Sequence, residues 1–233
     1  MKPLVRWTVG NCSDDGISML EVAVYKFIRL YGDLFDYKIF YNDLPELYKN
    51  RLQALGIELV EKDPHSLPLL PTCGPFWKLY PPRDRLNAHE IIIDNDLILY
   101  RHLKEIDRFL ASDDMLLTTE AYHRNYGMFD GLIDATAINI NTGIIGLYPN
   151  YDFKQKVCDF MNVYSVDSWK THFDEQGLVA YLFLKEKCVQ VSKSDIEIIL
   201  PDGKLKFGKC GLHLVGTNVH SPHWQHIIQL VSR

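Results

Sequence analysis

Asp94-Asn95-Asp96 is the sharpest chemical feature of the chain. It follows Glu90–Ile93, a short run with an apolar centre that reads as a buried strand. Such a strand delivers both carboxylates to one edge of a sheet, where acids one residue apart can converge on a single divalent cation. Mg²⁺ and Mn²⁺ prefer oxygen ligands and usually share them with substrate phosphates. Asp and Asn also favour turns and helix caps, so the triplet has a purely structural reading as well. The second feature is the histidine-rich tail, where four of the nine histidines fall between 213 and 226. His213 sits among strand-forming residues, and a neutral imidazole there can join carboxylates on a metal such as Mn²⁺. His220, His223 and His226 are spaced by three, but His220 precedes Pro222, so they need not share a helix face. For His226 an ordinary surface or core position is the better reading.

The elements that must position these groups alternate. Leu4–Val9 reads as a first buried strand, followed by a polar turn in which Ser13 or Asp14 caps a helix. Met19 to Leu30 carries a strong helical period. Asp36–Tyr41 reads as a strand, residues 45–55 as a helix closed by Gly56, and residues 57–61 as a third strand. Strand–helix–strand–helix–strand is the pattern of an α/β half with a parallel sheet. The proline-rich stretch 64–82 should bend and cover something. Beyond Asp96, helices are expected at 103–110, 153–161 and 174–184, and strands at Met115–Thr119 and 143–147. The stretch 192–214 is strand-like with a turn at Asp202-Gly203, and an amphipathic helix over 222–231 closes the chain.

Composition narrows the class. The chain has 233 residues, 47% of them apolar, with 25 basic and 30 acidic side chains, a formal charge of −5. That excludes intrinsic disorder and argues against coating nucleic acid by bulk charge, so any anionic ligand needs a local cation or a metal. One domain over 1–233 is the simplest division at this length. The cysteines Cys12, Cys73, Cys158, Cys188 and Cys210 are odd in number and widely spaced, without a C-x-x-C, which fits a reducing cytoplasm. No signal peptide is legible, and no apolar run approaches the ~20 residues of a membrane span.

Taken together, these motifs resemble the nucleotide-sugar-dependent glycosyltransferases of the GT-A fold, and most closely their retaining, glycogenin-like and galactosyl-transferring group (glycosyltransferase family 8-like). In that family a D-x-D motif follows an apolar strand, and a late His-x-x-Gly supplies a third metal ligand. Here those are Asp94, Asp96 and His213, with Gly216. Phe76-Trp77-Lys78-Leu79 is similar to the segment that covers the sugar donor, Asn141-Thr142-Gly143 to the Asn-x-Gly near the sugar, and Asp174-Glu175-Gln176 to an acidic-Gln helix head. The likeness spans nearly the whole chain in the family's order. It departs in two places: the lysine that usually follows His-x-x-Gly is missing, leaving His220 or His223 in its stead, and Glu175 stands where Asp is commoner.

The resemblance implies a single GT-A domain with a mixed, mainly parallel sheet flanked by helices. Its nucleotide-binding half is about 1–100 and its acceptor half about 101–233. It implies a Mn²⁺ (or Mg²⁺) cofactor held by Asp94, Asp96 and His213, and a nucleoside-diphosphate sugar, a UDP-sugar on this resemblance, as the transferred group's source. Donor contacts are expected from Thr8, Val9, Gly10, Asn95, Asn141, Gly143, Gly216 and His220, with Asn11 at the base. Lys78, Arg83 and Arg85 form the cationic cluster ahead of the D-x-D and are expected to meet phosphate or sugar oxygens, the alternative being a solvated loop. Asp174, Glu175 and Gln176 are expected to face the reacting centre, although acids also favour a helix N-terminus through its dipole. Under inversion Asp174 or Glu175 would be the general base, whereas under retention the leaving phosphate takes the proton. Trp77, Tyr80 and Trp224 read first as core residues and otherwise as walls of a sugar pocket. The last helix is expected to close over the diphosphate, and residues 122–134 are an acceptor loop candidate for a glycan, protein or small molecule. An oligomer is compatible with all of this.

Two other functions fit parts of the pattern. A sugar nucleotidyltransferase also uses carboxylate-bound Mg²⁺ on a related sheet, but lacks support here because residues 9–16 are not a Gly-rich basic phosphate loop. A non-catalytic metal- or carbohydrate-binding scaffold of the same fold is the other. Glycoside hydrolysis is less attractive, because Asp94 and Asp96 are spaced for chelation rather than for flanking a bond.

Overall fold

The computed structural model describes residues 1–10, 12–62, 70, 74–119, 125–134, 137, 139–164, 169, 171, 173–200, 204–215, 224 and 227. The chain opens with β1 (Leu4–Val9), every residue of which is buried. Ser13 caps α1 (Asp14–Tyr31) by accepting from the Gly16 amide, and acids fill the first turn. Ile17, Leu20, Val24, Phe27 and Tyr31 recur at helical spacing and pack on the sheet. There follow β2 (Asp36–Tyr41), α2 (Glu46–Gln53) and β3 (Glu58–Glu61), then β4 (Glu90–Ile93), β5 (Leu97–Leu99), α3 (Lys104–Leu110) and β6 (Met115–Thr119). The chain continues through β7 (Ile140–Leu147), α4 (Phe153–Val163), α5 (Phe173–Phe183), β8 (Cys188–Val191), β9 (Ile196–Ile199) and β10 (Gly211–Leu214).

Seven strands form one sheet in the order β3-β2-β1-β4-β7-β6-β8, and three form a second in the order β5-β10-β9. In the larger sheet only β7 runs against its neighbours. The order reverses at β1, whose neighbours are β2 on one side and β4 on the other. α/β sheets bind ligands at such a switch point, outside the carboxyl ends of the strands. Because β7 is antiparallel, its first residues arrive at that same edge: Ile144 pairs with Ile93, and the Asp94 amide donates to the Gly143 carbonyl at 3.0 Å.

Burial alternates across the sheet. Ile91 and Ile93 enter the core that holds α1 and α3, whereas Ile92 enters the core that holds α4 and α5. Each fully buried side chain of this size contributes roughly 1.5–3 kcal/mol, so β4 is a rigid base for whatever follows it. A third, smaller core joins α1 to the second sheet through Met19, Ile98, Leu212, Leu214, Trp224 and Ile227.

The strands expected at Leu4–Val9, Asp36–Tyr41, Glu90–Ile93 and Met115–Thr119 have those bounds. β5 and β8 were not expected. β5 is three residues long, and β8 is an edge strand too short for a clear period. β7 begins three residues before the apolar run at 143–147, because polar Asn141 and Thr142 are part of the strand. The turn at Asp202-Gly203 and most of the expected helix at 222–231 lie outside the described residues. No helix among the described residues is long and apolar enough to cross a membrane.

Candidate functional site

Asp94, Asp96 and His213 meet at the switch-point edge. One ligand atom from each lies within 4.8 Å of the others. His213 Nε2 is 3.2 Å from Asp96 Oδ1 and 3.5 Å from Asp94 Oδ2. Two elements set this geometry. β10 carries His213 opposite Leu97 of β5, and the Leu214 amide donates to the Asp96 carbonyl at 2.9 Å, so the loop after β4 is stitched to β10. Asn95 ties the same loop to β1 by donating from Nδ2 to the Thr8 carbonyl at 2.7 Å. Two carboxylates and an imidazole suit Mn²⁺, and the oxygens suit Mg²⁺.

Lys78 stands beside the cluster. Its Nζ is 2.9 Å from Asp94 Oδ1 and 3.4 Å from Glu175 Oε2, and donates to the carbonyl and hydroxyl of Thr142, each at 3.1 Å. The segment that carries it is clamped by Arg6, whose Nη1 donates to the Lys78 carbonyl at 2.8 Å and Nη2 to the Pro81 carbonyl at 2.7 Å. Arg6 in turn pairs with Glu90 at 2.7 Å, both fully buried. Glu90 Oε2 accepts the amides of Asp84 and Arg85, so this buried charge pair has its hydrogen bonds made.

These groups shift one another's protonation. Burial alone would lower the Lys78 pKa, but the charges of Asp94 and Glu175 reverse that and raise it. For Asp94, burial opposes ionisation and loses to Lys78 and His213, which hold the carboxyl at about 2. For His213, burial opposes charging and loses to Asp96 and Asp94, which push the imidazole to about 9. Glu175 goes the other way: burial raises it to about 7 despite Lys78.

Four buried polar atoms here have no hydrogen-bond partner among the described residues: Thr8 Oγ1, Asn95 Oδ1, Glu175 Oε1 and His213 Nδ1. Native interiors tolerate few such atoms. Their convergence at one edge is the signature of a surface built to be completed by a ligand.

Most of the remaining expected site residues reach this edge by backbone or packing. Val9 and Thr8 end β1 here, but the Val9 side chain is core and its carbonyl accepts the Asn42 amide at 3.1 Å. A methyl built on Gly10 meets nothing within 4 Å, so the edge stays open there. Asn141 Oδ1 accepts the Gly143 amide at 2.9 Å, holding a register break between β6 and β7 that turns this stretch toward Lys78. Gln176 Nε2 donates to the Asn125 carbonyl at 3.3 Å. Thr142 was missed in the sequence, although it lies between two singled-out residues; its hydroxyl bridges Lys78 and Glu175, donating to Glu175 Oε2 at 3.0 Å.

Three placements correct the sequence reading. Arg85 lies at the opposite edge, where it binds Asp36 and the Lys2 carbonyl beside the amino ends of β1 and β2. Arg83 donates to the carbonyls of Arg85, Ala88, Tyr148 and Tyr151, fastening a loop rather than a ligand. Asp174 accepts the Met128 amide at 2.8 Å and the Thr171 amide at 2.7 Å, so both of its oxygens brace local backbone instead of facing the reacting centre. Gly127 passes so close above it that any side chain would strike Asp174 Oδ1, and its φ of 57° also favours glycine. Tyr80 and Trp224 are core residues. Asn11, Gly216, His220, His223 and His226 lie outside the described residues.

Gly143 was expected to touch sugar, and its position gives it a second duty. A methyl on it would lie 2.6 Å from both Cε1 and Nδ1 of His213 and 2.9 Å from Asn141 Oδ1. Gly143→Ala is therefore expected to displace the imidazole and weaken Mn²⁺ binding by about tenfold or more, with an overpacking cost of about 1–3 kcal/mol. Mn²⁺ titration of the variant at wild-type affinity would contradict this.

No protein-family model and no curated protein matches the sequence. Solved structures do match the fold. The galactosyltransferase LgtC, in complex with donor and acceptor sugar analogues, superposes with a TM-score of 0.67 at 11% identity, over 98% of this chain and 95% of that one. Mouse xyloside xylosyltransferase 1 in its apo form gives 0.59 at 13% identity, over 94% and 99%. The apo bifunctional glycosyltransferase WbbM gives 0.64 at 14% identity, over 97% of this chain and 51% of that one. The architecture is thus the GT-A fold.

Proposed function

We propose that this chain is a metal-dependent glycosyltransferase that moves a sugar from a nucleoside diphosphate, in our reading a UDP-sugar, to a glycan, protein or small-molecule acceptor. The observation that carries the proposal is the Asp94–Asp96–His213 cluster at the switch-point edge of a GT-A fold. We read the whole chain as one catalytic domain, with residues 1–100 binding the nucleotide and 101–233 the sugar and acceptor. The cysteines described are free, which supports a reducing, cytoplasmic setting.

The cluster suits Mn²⁺ or Mg²⁺, which when bound stabilises a departing diphosphate as a Lewis acid. The chain's own residues supply the rest. The Asn95 tie and the β10 stitch keep the ligand atoms fixed before the donor arrives, so little reorganisation is left for the transition state. Lys78 brings a fixed positive charge to the same edge. Glu175 projects an unpartnered oxygen from the wall beside Lys78, in position to accept from a sugar hydroxyl. Asp174, with both oxygens committed to backbone amides, is poorly suited to be a general base. That leaves Glu175 as the base candidate under inversion; our reading is transfer with retention, in which the leaving phosphate accepts the acceptor's proton.

The test is thermal. Mn²⁺ with UDP at about a hundredfold above Kd should raise the melting temperature by about 5–10 °C, from roughly 2.7 kcal/mol of linkage in a chain of this size. Mn²⁺ alone should do far less. No shift with the two together would refute the proposed donor.

A further inference from the structure

A cavity of about 250 Å³ lies between α5 and the β6–β8 end of the larger sheet. Leu117 and Thr119 of β6 and Cys188 and Gln190 of β8 form one wall, and Ala180 and Phe183 of α5 the other. Side chains two apart on a strand share a face, so the cavity runs along the strands for about 7 Å or more. Ordinary core packing leaves few voids larger than a water molecule.

The walls offer hydrocarbon. Their polar atoms are engaged with the protein: Thr119 Oγ1 donates to the Val191 carbonyl at 3.1 Å, Cys188 Sγ to the Glu186 carbonyl at 3.6 Å, and Glu186 Oε2 accepts from the Tyr148 hydroxyl at 3.3 Å. An apolar cavity of about 150 Å³ stays dry and takes up benzene. On that scale this one holds a chain of about eight to ten carbons, or a substituted aromatic ring. Its position links it to the reacting centre. Thr119 and Ile140 pair where β6 ends and β7 begins, at the edge that carries the metal cluster, and both line the cavity. Ile140 is two residues, about 7 Å, from Thr142, whose hydroxyl touches Lys78 and Glu175. Ala180 is five residues along α5 from Glu175, about 7.5 Å. Gln190, at the same end of the cavity as Thr119, is exposed, so the cavity is open at that edge.

We propose that this cavity seats the hydrocarbon part of the acceptor, so that the acceptor is a glycoside carrying an alkyl or aryl group rather than a wholly polar sugar. This rests on the glycosyltransferase reading above. The sugar head of such a molecule stays at the edge beside Glu175, and its tail lies along β6 and β8 beneath α5. The tail supplies affinity through burial, and the head is held where the donor's sugar is delivered.

The experiment is calorimetric titration of butyl, hexyl, octyl and dodecyl β-D-glucoside, each below its micellar concentration, into the wild type, Ala180→Leu and Ala137→Leu. Both alanines line the cavity, and each leucine occupies part of its volume. In the wild type, affinity should rise about fourfold per methylene as far as the octyl chain. The gain from octyl to dodecyl should be about threefold or less in total, because the cavity is then full. Each leucine variant should bind the octyl glucoside about tenfold more weakly and the butyl glucoside almost unchanged. Affinity independent of chain length, or octyl affinity unchanged in both variants, would overturn the cavity as the seat of the chain. The second readout is release of free sugar from a nucleotide sugar with Mn²⁺. Octyl glucoside should halve that release in the wild type at the concentration that half-fills the cavity, because its head displaces the attacking water. Octyl glucoside that binds with the expected chain-length dependence yet leaves release unchanged would overturn the acceptor assignment. A wild type that releases sugar from no nucleotide sugar would overturn the glycosyltransferase reading itself.

Discussion

Asp96→Ala is expected to lower Mn²⁺-dependent turnover of the nucleotide sugar by about 10³-fold or more, since losing a metal's Lewis-acid contribution of about 4 kcal/mol has that effect on rate. Turnover can be followed as hydrolysis of the donor, in which water replaces the acceptor. The fold should survive, because what holds the loop is backbone: the Asp96 carbonyl accepts the Leu214 amide, and neither that bond nor the Asn95 tie uses the Asp96 carboxylate. The carboxylate itself keeps about a quarter of its surface exposed, at 26%. Its pairing with His213 should therefore be worth only about 1 kcal/mol or less. Asp96→Asn keeps the shape and removes the charge, so it should share the kinetic defect with still less change in melting temperature. Turnover within tenfold of wild type in either variant would remove Asp96 from the proposed metal site.

Part of this was legible in the sequence for simple reasons. The Ile91-Ile92-Ile93 run is buried on both faces, and only a strand inside a layered α/β sheet needs that, so β4 and the delivery of Asp94 to a sheet edge could be read directly. His213 was legible because it stands among strand-forming residues with Gly216 three positions on, where an imidazole can join two carboxylates on a metal. What failed was the assignment of charged residues by proximity in sequence. Arg85 is nine residues from Asp94, yet the strand between them carries the chain across the whole sheet, and the arginine stays behind at the other edge. Asp174 and Glu175 are adjacent, but a helix turns them about 100° apart, and one braces backbone while the other faces Lys78. Thr142 matters through the Lys78 and Glu175 side chains that fold over it, which its neighbours in sequence do not show.

Lys78→Met is the substitution expected to cost the most stability. Lys78 is nearly buried, and it is the cation that Asp94 and Glu175 share. Removing one partner from a buried ionic group leaves the others uncompensated, typically at about 3–5 kcal/mol, or roughly 6–20 °C in a chain of this size. The pH dependence identifies the mechanism. Asp94 has a folded-state pKa depressed to about 2, so its contribution to stability is present above the ordinary carboxylate range and lost as pH falls toward 2. Glu175 is raised to about 7, which has the opposite sign: ionising it costs stability as pH rises from the ordinary glutamate range through 7. Without Lys78 that cost grows, so the deficit of the variant should be larger at pH 8 than at pH 5, where Glu175 holds its proton. A deficit independent of pH across that range would mean that Lys78 acts through packing alone. Mn²⁺ gives a second readout, since a divalent ion on Asp94 supplies charge that the variant lacks. It should raise the melting temperature of Lys78→Met more than that of the wild type. The reverse would show that Lys78 and the ion do not act on the same carboxylate. On this account the lysine keeps the acids of the site together in the absence of ligand, and a metal ion with its diphosphate takes over that task when they bind.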